Sequence, residues 1–501
     1  MKWRAGALLI CLSVLAANAW HIHSQAAPPA WDDAWYLENS FRFYFTLKQG
    51  LLPFCLEYVQ AFKTKAPLIS LLPLPLYALF GPGERMALWA NQFCMGLTLL
   101  FVYRIGKRLY GERAGLAGAA AAALIPLLYG LSRVFLVESL LTALVSCSAW
   151  ALLEARPEDP RAGAKLGVLL GLGLLAKSVF PLYLLWPLWL RRKALAPHSG
   201  TALAVGGLIA STWYLFNAVY VLGFGLSAGF GRIAHDYGSA SLAPAALSHY
   251  AASLGQDALS WPYLLAAGAL ALAAWRQRRN RGLGPAERFL LAWLLLPLGV
   301  FTLGVNKDIR YLAPALPALA VALGASAGSF SRTRWKTLLV LLLLLLPLGQ
   351  LARQTFGFPP GPALAYNGPP SSDPGWDRSA LVEAMAKTAS ENSVIAVGLE
   401  HRLLNANNLA SLSASRGHPF RFISLGYAQA SAEGALIRLK DKGADLLVMV
   451  EGKLPEDLPA FLNRANPGVQ QAINRGRLPA KKLARIPIRD GLQAVLYRLK
   501  P

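Results

Sequence analysis

Long apolar runs separated by short polar stretches occupy the chain from residue 5 to about residue 352. Many of these runs approach the roughly 20 residues that a helix needs to cross a bilayer. Clusters of Arg and Lys lie between the runs, and the positive-inside rule assigns them to the cytoplasmic side: residues 104–113, 191–193, 276–281 and 332–336. The pattern therefore predicts a polytopic α-helical membrane protein whose basic clusters reflect topology rather than ligand binding.

The same rule orders about eleven predicted spans, residues 5–20, 86–103, 114–130, 134–153, 164–176, 179–190, 201–222, 261–275, 287–304, 311–328 and 336–352. Two outer loops, residues 21–84 and 223–258, interrupt the series. The first span has a rival interpretation as a cleaved signal peptide, because a basic start and a short apolar core precede the small-residue sequence AANA. Both interpretations place residue 32 on the outer side of the membrane.

The first outer loop carries aromatic amphipathic stretches followed by the apolar run PLISLLPLPLYALF, which contains Pro67, Pro73 and Pro75. Proline inside a helix removes a hydrogen bond and kinks the helix. The run therefore predicts a helix lying at the outer membrane interface. A short re-entrant piece packed on the bundle is a compatible alternative.

The tail has a different pattern, in which four short apolar runs (SVIAVGL, FRFISLG, DLLVMV and AVLYRL) alternate with helix-like stretches such as ALVEAMAKTA and AEGALIRLKDKGA. Such alternation is typical of a small α/β domain. We expect residues 1–354 to form a transmembrane catalytic domain with the outer loop 21–84. Residues 355–501 would form an extracytoplasmic accessory domain that helps to hold an acceptor, with His401 and His418 on its surface.

Composition agrees with a membrane protein, since 55% of the 501 residues are hydrophobic and only 15% are charged, against roughly 25% charged residues in soluble domains. The net charge of +23 would suit a nucleic-acid binder, but its concentration in the inner loops argues against that class. The spacing of the four cysteines fits neither a metal site nor a disulfide framework.

Acidic residues are scarce before the tail, so their positions are informative. The pair Asp32 and Asp33 follows the first span directly, and Glu138 lies at the outer end of another span. An ionised group at membrane depth is costly unless it is paired or hydrated, which makes it a functional candidate. A purely local ion pair between Glu138 and Arg133 is the structural alternative.

Several basic residues stand on the outer side, where the positive-inside rule does not explain them: Lys65, Arg133, Lys177, Arg232, Lys307 and Arg310. Arginine suits phosphate through its planar fork of donors, and lysine suits it through its compact charge. We therefore expect these residues to include ligands of a phosphate head group. Snorkelling of single side chains to the membrane interface is the alternative.

These motifs together resemble the GT-C glycosyltransferases, and within them the bacterial family-39-like enzymes related to protein O-mannosyltransferases and aminoarabinose transferases. WDDAWYLENS resembles the acidic motif of that family, and TKAPL resembles its Lys-Pro-Pro-Leu element with Ala66 in place of the first proline. SRVFLVESLLT resembles the stretch with a second acid, here Glu138 where Asp is frequent. GLGLLAKSVFPLYLL and IRYLAPALPALA are similar to two further elements, and the resemblance covers roughly residues 1–330.

The resemblance implies an integral-membrane enzyme that moves a sugar from a polyprenyl-phosphate donor to a lipid, glycan or protein acceptor at the outer membrane face. It implies catalytic roles for Asp32, Asp33 and Glu138, with Asp32 as the candidate base. Lys65 and Arg310, together with Arg133 and Lys307, would bind the donor phosphate. Carboxylates would suit a divalent cation such as Mg or Mn, and metal dependence stays open.

Two other functions remain possible at the level of the sequence. A lipid-linked-sugar flippase or other transporter would usually show internal repeats with broken helices in both halves, and no convincing repeat is visible. An envelope polysaccharide polymerase or ligase would share much of the same chemistry. The expected location in every case is the plasma (inner) membrane of a bacterium.

Overall fold

The computed structural model describes residues 2–231, 234, 244–278, 282–328, 334–390, 393–426, 431–489 and 491–499. They divide into two compact units. The helical unit contains Met1–His23, Tyr58–Leu72 and Leu88–Pro370. The mixed unit contains Ser24–Glu57, Pro73–Ala87 and Ser371–Pro501, so two segments of the predicted outer loop 21–84 belong to the same compact unit as the tail.

Helices dominate the first half of the chain. In order they are α1 Lys2–Ser24, α2 Asp32–Gln49, α3 Leu51–Gln60, α4 Leu68–Leu71, α5 Leu74–Phe80, α6 Glu84–Tyr110, α7 Glu112–Ala123, α8 Pro126–Leu131, α9 Glu138–Glu154, α10 Ala162–Ala176, α11 Leu185–Leu195 and α12 Ser199–Phe230. Later helices are Pro244–Ser253, Trp261–Arg278, Pro285–Leu303, Leu316–Gly328 and Arg334–Phe356, with 3-10 turns at Phe180–Tyr183, Ala196–His198 and Ile309–Ala315 and a π-turn at Leu254–Ala258.

Five apolar segments of the described chain are long enough to cross a membrane: Arg4–Ser24, Glu84–Tyr110, Leu185–Phe230, Pro285–Leu303 and Ile309–Ala327. The count of eleven spans therefore stays a prediction. The predicted inner loops 276–281 and 332–336 and the predicted outer loop 223–258 lie partly outside the described residues, and Arg232 is among the residues not described.

Two sequence predictions about helix boundaries can be compared with the structure. The proline-rich run 67–80 is broken into α4 and α5 at Leu72 and Pro73, as the proline at position 73 predicts. The predicted span 201–222 lies within α12, which continues beyond it to Phe230. The added residues contain no proline, and the glycines at 223, 225 and 229 have open space around them, so nothing stops the helix there.

Glycines allow α10 and α12 to pack closely. A Cβ atom added at Gly167 would lie 2.7 Å from Cβ of Val205, and one added at Gly171 would lie 2.6 Å from Cβ of Ile209. Small residues four positions apart let two helix backbones approach in this way. The contact fixes the end of α10 and therefore the start of the segment that follows at Lys177.

The mixed unit contains a five-stranded sheet in the order β2-β1-β3-β5-β4. The strands are β1 Val394–Val397, β2 Arg421–Ser424, β3 Leu446–Gly452, β4 Ala480–Arg489 and β5 Leu492–Leu499. The first three are parallel, whereas β5 and β4 are antiparallel to their neighbours. The helices of the tail are Arg378–Thr388, Ala406–Ser415, Ala432–Asp441, Ala460–Asn463 and Asn466–Asn474. The small α/β domain predicted from the tail is therefore confirmed.

The expected surface position of His401 is wrong, because this residue is 3% exposed. Its ring stacks on Trp376 with centroids 4.8 Å apart, and Nε2 lies 3.2 Å from Oδ1 of Asp457. The Leu403 amide donates to Nδ1, so a neutral ring satisfies both nitrogens. His418 is half-buried and stacks on Phe420.

Candidate active site

Glu138 stands at the first residue of α9, and its side chain is only 2% exposed. Its Oε1 atom lies 2.8 Å from Nζ of Lys177 and 3.8 Å from Nε of Arg310. Its Oε2 atom has no hydrogen-bond partner among the described residues. The buried carboxylate therefore joins two basic side chains that are far apart in the sequence.

Lys177 follows α10 directly, at a break in the helical backbone before the 3-10 turn Phe180–Tyr183. Its side chain is 26% exposed, and its Nζ lies 4.9 Å from the centre of the Tyr311 ring. An ammonium group carries three donors. In the described part of the chain, its one hydrogen-bond acceptor is Glu138, which leaves donors for a ligand.

Arg310 lies in the 3-10 turn Ile309–Ala315. Asp308 caps the start of this turn, because its Oδ1 atom accepts a hydrogen bond from the Arg310 backbone amide at 3.0 Å. Oδ2 of Asp308 lies 3.1 Å from Nε of Arg310 and accepts a hydrogen bond from the Tyr366 hydroxyl at 2.6 Å. The Tyr250 hydroxyl lies 3.2 Å from the Asp308 carbonyl oxygen. This arrangement holds the guanidinium beside Glu138 through a neighbouring carboxylate.

The segment with Lys65 lies beside the end of α10. Ala66, its neighbour, packs in one hydrophobic cluster with Leu175 and Trp213. Leu175 precedes Lys177 by two residues. The helical unit thus brings the TKAPL segment close to the chain segment that carries Lys177, and Lys65 is half-buried there.

Arg133 has a different environment, since it is 4% exposed. Its guanidinium donates to four neutral oxygens: Oδ1 of Asn18, the Gln354 carbonyl, Oδ1 of Asn367 and Oγ1 of Thr355, at 2.7 to 3.2 Å. The carboxylate Glu138 has Lys177 and Arg310 as its ionic partners. The guanidinium of Arg133 therefore connects α1 with residues 354–367.

Lys307 is engaged with backbone. Its Nζ lies 2.6 Å from each of the Thr302 and Gly304 carbonyl oxygens, at the end of helix Pro285–Leu303. A lysine in this position satisfies carbonyls that have no partner within the helix and complements the helix dipole.

Asp32 and Asp33 form the first turn of α2 in the mixed unit, and both are half-buried. Negative side chains are favoured at this end of a helix because the unpaired amides carry partial positive charge. Trp31, which precedes them, has φ 46° and ψ −113°, a conformation that non-glycine residues rarely adopt. The acidic pair therefore begins immediately after a strained residue.

Among the residues that the structure describes, no three His, Cys, Asp or Glu side chains are placed together to hold a metal ion. It also adds residues that the sequence did not single out as site members: Asp308, Tyr250 and Tyr366. The NKDIRYLAP motif shows Asp308 two residues before Arg310, but no sequence signal links Tyr366 to either residue.

A family model described as dolichyl-phosphate-mannose-protein mannosyltransferase matches residues 64–216. The undecaprenyl phosphate-alpha-4-amino-4-deoxy-L-arabinose arabinosyl transferase of Erwinia tasmaniensis is 27% identical, over 52% of this chain and 49% of that protein. An enzyme of the same name from Pseudomonas fluorescens is 29% identical, over 49% of this chain and 46% of that protein. The chain thus spans about half the length of the curated relatives that it matches.

Solved structures match almost the whole chain. The crystal structure of ArnT from Cupriavidus metallidurans bound to undecaprenyl phosphate superposes with a TM-score of 0.61 and 15% identity, covering 99% of this chain and 98% of ArnT. The Archaeoglobus fulgidus oligosaccharyltransferase gives a TM-score of 0.55 with 14% identity, over 87% of this chain and 67% of that one. This chain therefore has the GT-C glycosyltransferase fold and is related to the mannosyltransferases and aminoarabinose transferases that share it.

Proposed function

We propose that this protein is an integral-membrane glycosyltransferase that moves a sugar from a polyprenyl-phosphate donor to a lipid, glycan or protein acceptor. The observation that carries the proposal is the pair of basic side chains, Lys177 and Arg310, held around the buried carboxylate of Glu138. The relatives support the donor class, because their names specify an undecaprenyl phosphate sugar.

The basic pair suits the charge that develops in such a reaction. The acceptor oxygen bonds to the anomeric carbon, and the bond from that carbon to the phosphate oxygen breaks. The electron pair stays on the leaving polyprenyl phosphate, which gains negative charge. Lys177 and Arg310 are already positioned by Glu138 and Asp308, so they can stabilise that charge with little rearrangement.

We assign the donor phosphate to Lys177, Arg310 and Lys65. Lys177 has donors beyond its contact with Glu138 in the described structure, and Lys65 lies in the segment that packs beside the end of α10. We favour structural roles for Arg133 and Lys307. Arg133 donates its hydrogen bonds to a buried network of neutral oxygens, and Lys307 donates to carbonyl oxygens at a helix end.

Asp32 is our proposed base, which accepts the proton of the acceptor hydroxyl as the new bond forms. Asp33 would orient either the acceptor or the side chain of Asp32. Both assignments come from the WDDAWYLENS motif, and the helix start gives the two carboxylates a fixed backbone. Glu138, which the sequence also assigned to catalysis, acts in this proposal by orienting the phosphate ligands.

The proposal places the protein in the plasma (inner) membrane with about eleven spans. Asp32, the second outer loop and the C-terminal domain would face the extracytoplasmic side, as the distribution of basic loops indicates. Residues 1–354 would supply the catalytic membrane domain, and residues 355–501 the accessory domain.

Purified protein in detergent or nanodiscs, supplied with a panel of undecaprenyl-phosphate sugars and a membrane lipid extract, tests the activity. We expect sugar transfer from at least one donor with release of undecaprenyl phosphate. The variant Lys177→Ala should release undecaprenyl phosphate much more slowly than wild type, whereas Lys307→Ala should retain the wild-type rate. Folded wild-type protein that binds none of the donors and releases no undecaprenyl phosphate would refute the proposal.

A further inference from the structure

The backbone just before the acidic pair is strained. Trp31 has φ 46° and ψ −113°, and such conformations cost on the order of 1–3 kcal/mol unless the surroundings impose them. Its carbonyl oxygen accepts the first hydrogen bond of α2, from the Trp35 amide at 2.9 Å. The orientation of this one peptide group therefore sets the direction in which α2 begins, and with it the positions of Asp32 and Asp33.

The C-terminal domain supplies a second hydrogen bond to that carbonyl. Nδ2 of Asn407 donates to the Trp31 oxygen at 3.1 Å. Asn407 lies in the first turn of helix Ala406–Ser415, which begins with a complete capping box between Asn405 and Asn408. The cap fixes the backbone of Asn407, so the amide that reaches Trp31 starts from a rigid element.

The segment that leads to Trp31 is held by the same domain. The Ala26 amide donates to the Ser371 carbonyl at 2.9 Å, and the Ser371 amide donates to Oε1 of Gln25 at 2.8 Å. Further along α2, Nη2 of Arg42 donates to the Phe420 carbonyl at 2.6 Å. Within the mixed unit, the tail therefore contacts the chain before the acidic pair, at Trp31 and further along α2.

We propose that Asn407 is a positioning residue for the acidic pair, and that the C-terminal domain serves the reaction by fixing the start of α2. Asn407 holds the Trp31 carbonyl and thereby directs the side chains of Asp32 and Asp33. This inference rests on the proposed function, since it assigns the acidic pair to catalysis. It gives the domain a role in the rate of the reaction that differs from holding an acceptor.

Two variants test the hydrogen bond in the full-length protein. Asn407→Asp has the same shape but presents an oxygen to the Trp31 carbonyl, and an acidic residue suits the start of helix Ala406–Ser415. Asn407→Gln keeps the amide donor on a longer side chain. We expect Asn407→Asp to lower kcat about 10-fold to 100-fold, since a misplacement of roughly 1 Å can cost about 100-fold in rate, and Asn407→Gln to recover part of the loss.

The KM for the donor should stay within about twofold in both variants, because Asn407 is not one of the phosphate ligands of the proposed function. The pH profile of kcat should also change in Asn407→Asp, because a displaced base meets a different local field. Loss of folding alone would lower the active fraction and leave the shape of that profile unchanged.

Arg416→Gln is the matched control. Arg416 follows the same helix at its other end, where it donates to Ser379 and lies 3.4 Å from Glu383. This variant should keep both kcat and its pH profile. Equal losses of kcat in Asn407→Asp and Arg416→Gln, with an unchanged pH profile in both, would overturn the positioning role.

Asp32→Asn separates this inference from the proposed function. If Asp32→Asn is inactive while Asn407→Asp keeps the wild-type kcat and pH profile, the positioning role is wrong and the base assignment stands. If Asp32→Asn is as active as wild type, the base assignment fails. In the expected case, adding Asn407→Asp to Asp32→Asn produces no further loss, because the positioned base is already absent.

Discussion

Lys177 and Glu138 form an ion pair in the helical unit, with Nζ 2.8 Å from Oε1. The Glu138 side chain is 2% exposed and the Lys177 side chain 26%, so the carboxylate is buried while the lysine side chain is partly accessible. An ion pair with this asymmetry leaves its cationic partner more accessible to a ligand than its carboxylate. Tyr311 completes the arrangement by placing its ring 4.9 Å from the same Nζ.

Glu138→Gln should lower transfer by about 10-fold to 100-fold, because the amide keeps the shape but no longer attracts Lys177 and Arg310 into place. The loss should appear in kcat measured with saturating donor. Glu154→Gln is the control, since Glu154 pairs with Arg108 at an exposed position and should have little effect. A fully active Glu138→Gln enzyme would contradict the orienting role.

Lys177→Ala and Arg310→Ala should both lower kcat and weaken the apparent affinity for the donor, because a phosphate contact that strengthens as the bond breaks acts on both. Arg310→Lys should be less impaired than Arg310→Ala, since it keeps the charge but loses the fork of donors. Donor-concentration kinetics on purified protein measure these effects. Changes confined to the affinity for the acceptor would exclude both residues from phosphate binding.

The sequence identified the acid Glu138 by its charge at membrane depth. It identified the bases Lys177 and Arg310 by an outer-side position that the positive-inside rule does not explain. It did not reveal that one carboxylate joins both bases, because residues 138, 177 and 310 are brought together by tertiary packing. The glycine contacts between α10 and α12 and the turn capped by Asp308 set that geometry. The four-residue spacing of the glycines is visible in the sequence, but the helix that they contact is not, and the cap at Asp308 depends on local backbone geometry.

For the fold, too, the sequence predicted most individual elements but not the long-range contacts between them. Four tail strands were evident as apolar runs, but β4 was missed. Its sequence AKKLARIPIR contains three basic residues before Pro487, and only its second half alternates between buried and exposed positions. An edge strand tolerates both features, since proline lacks an amide donor and one side of the strand has no partner. The grouping of α2 with the tail required long-range contacts, such as Arg42 with Phe420, that no local pattern encodes.

Arg133→Leu should destabilise the helical unit by on the order of 3 kcal/mol, because it leaves several buried oxygens without a donor. Thermal unfolding of the detergent-solubilised protein measures the loss. Arg353→Leu is the control, since Arg353 is partly exposed and its described side-chain hydrogen bond is to the Pro359 carbonyl. At temperatures where Arg133→Leu is folded, its donor affinity should match wild type. A weaker donor affinity with unchanged stability would instead return Arg133 to the phosphate site.

Lys48, in the last turn of α2, is exposed and reports the side of the membrane on which the acidic pair lies. In a variant lacking native cysteines, Lys48→Cys should react with a membrane-impermeant thiol reagent in intact cells. Lys193→Cys, in a predicted cytoplasmic cluster, should react only after the membrane is broken. The opposite pattern would reverse the proposed orientation and remove the argument for an outer-face reaction.

The stability of the mixed unit should fall as the pH rises from about 4.5 to about 7, because of one buried carboxyl group. Burial raises the pKa of Glu400 to about 7, although hydrogen-bonding groups on Ser424, Ala406 and Trp31 act in the opposite direction. The unfolded chain ionises this group near its ordinary pKa of 4.5, so the folded state binds the proton more tightly. Its advantage is complete below about pH 4.5 and is lost as the pH rises through the folded pKa.

Glu400→Gln cannot ionise and should remove this dependence. The shift from 4.5 to about 7 corresponds to on the order of 3 kcal/mol at pH 8. The test is hydrogen exchange of the β1 amides Val394–Val397 in the full-length protein, corrected for intrinsic exchange rates. At pH 8 these amides should be better protected in the variant than in wild type. At pH 5 the protection should be similar in both proteins. The exposed Glu456→Gln is the control. If wild type is protected equally at both pH values, Glu400 does not bind its proton more tightly in the folded state, and the buried carboxyl is not the source of a pH-dependent stability.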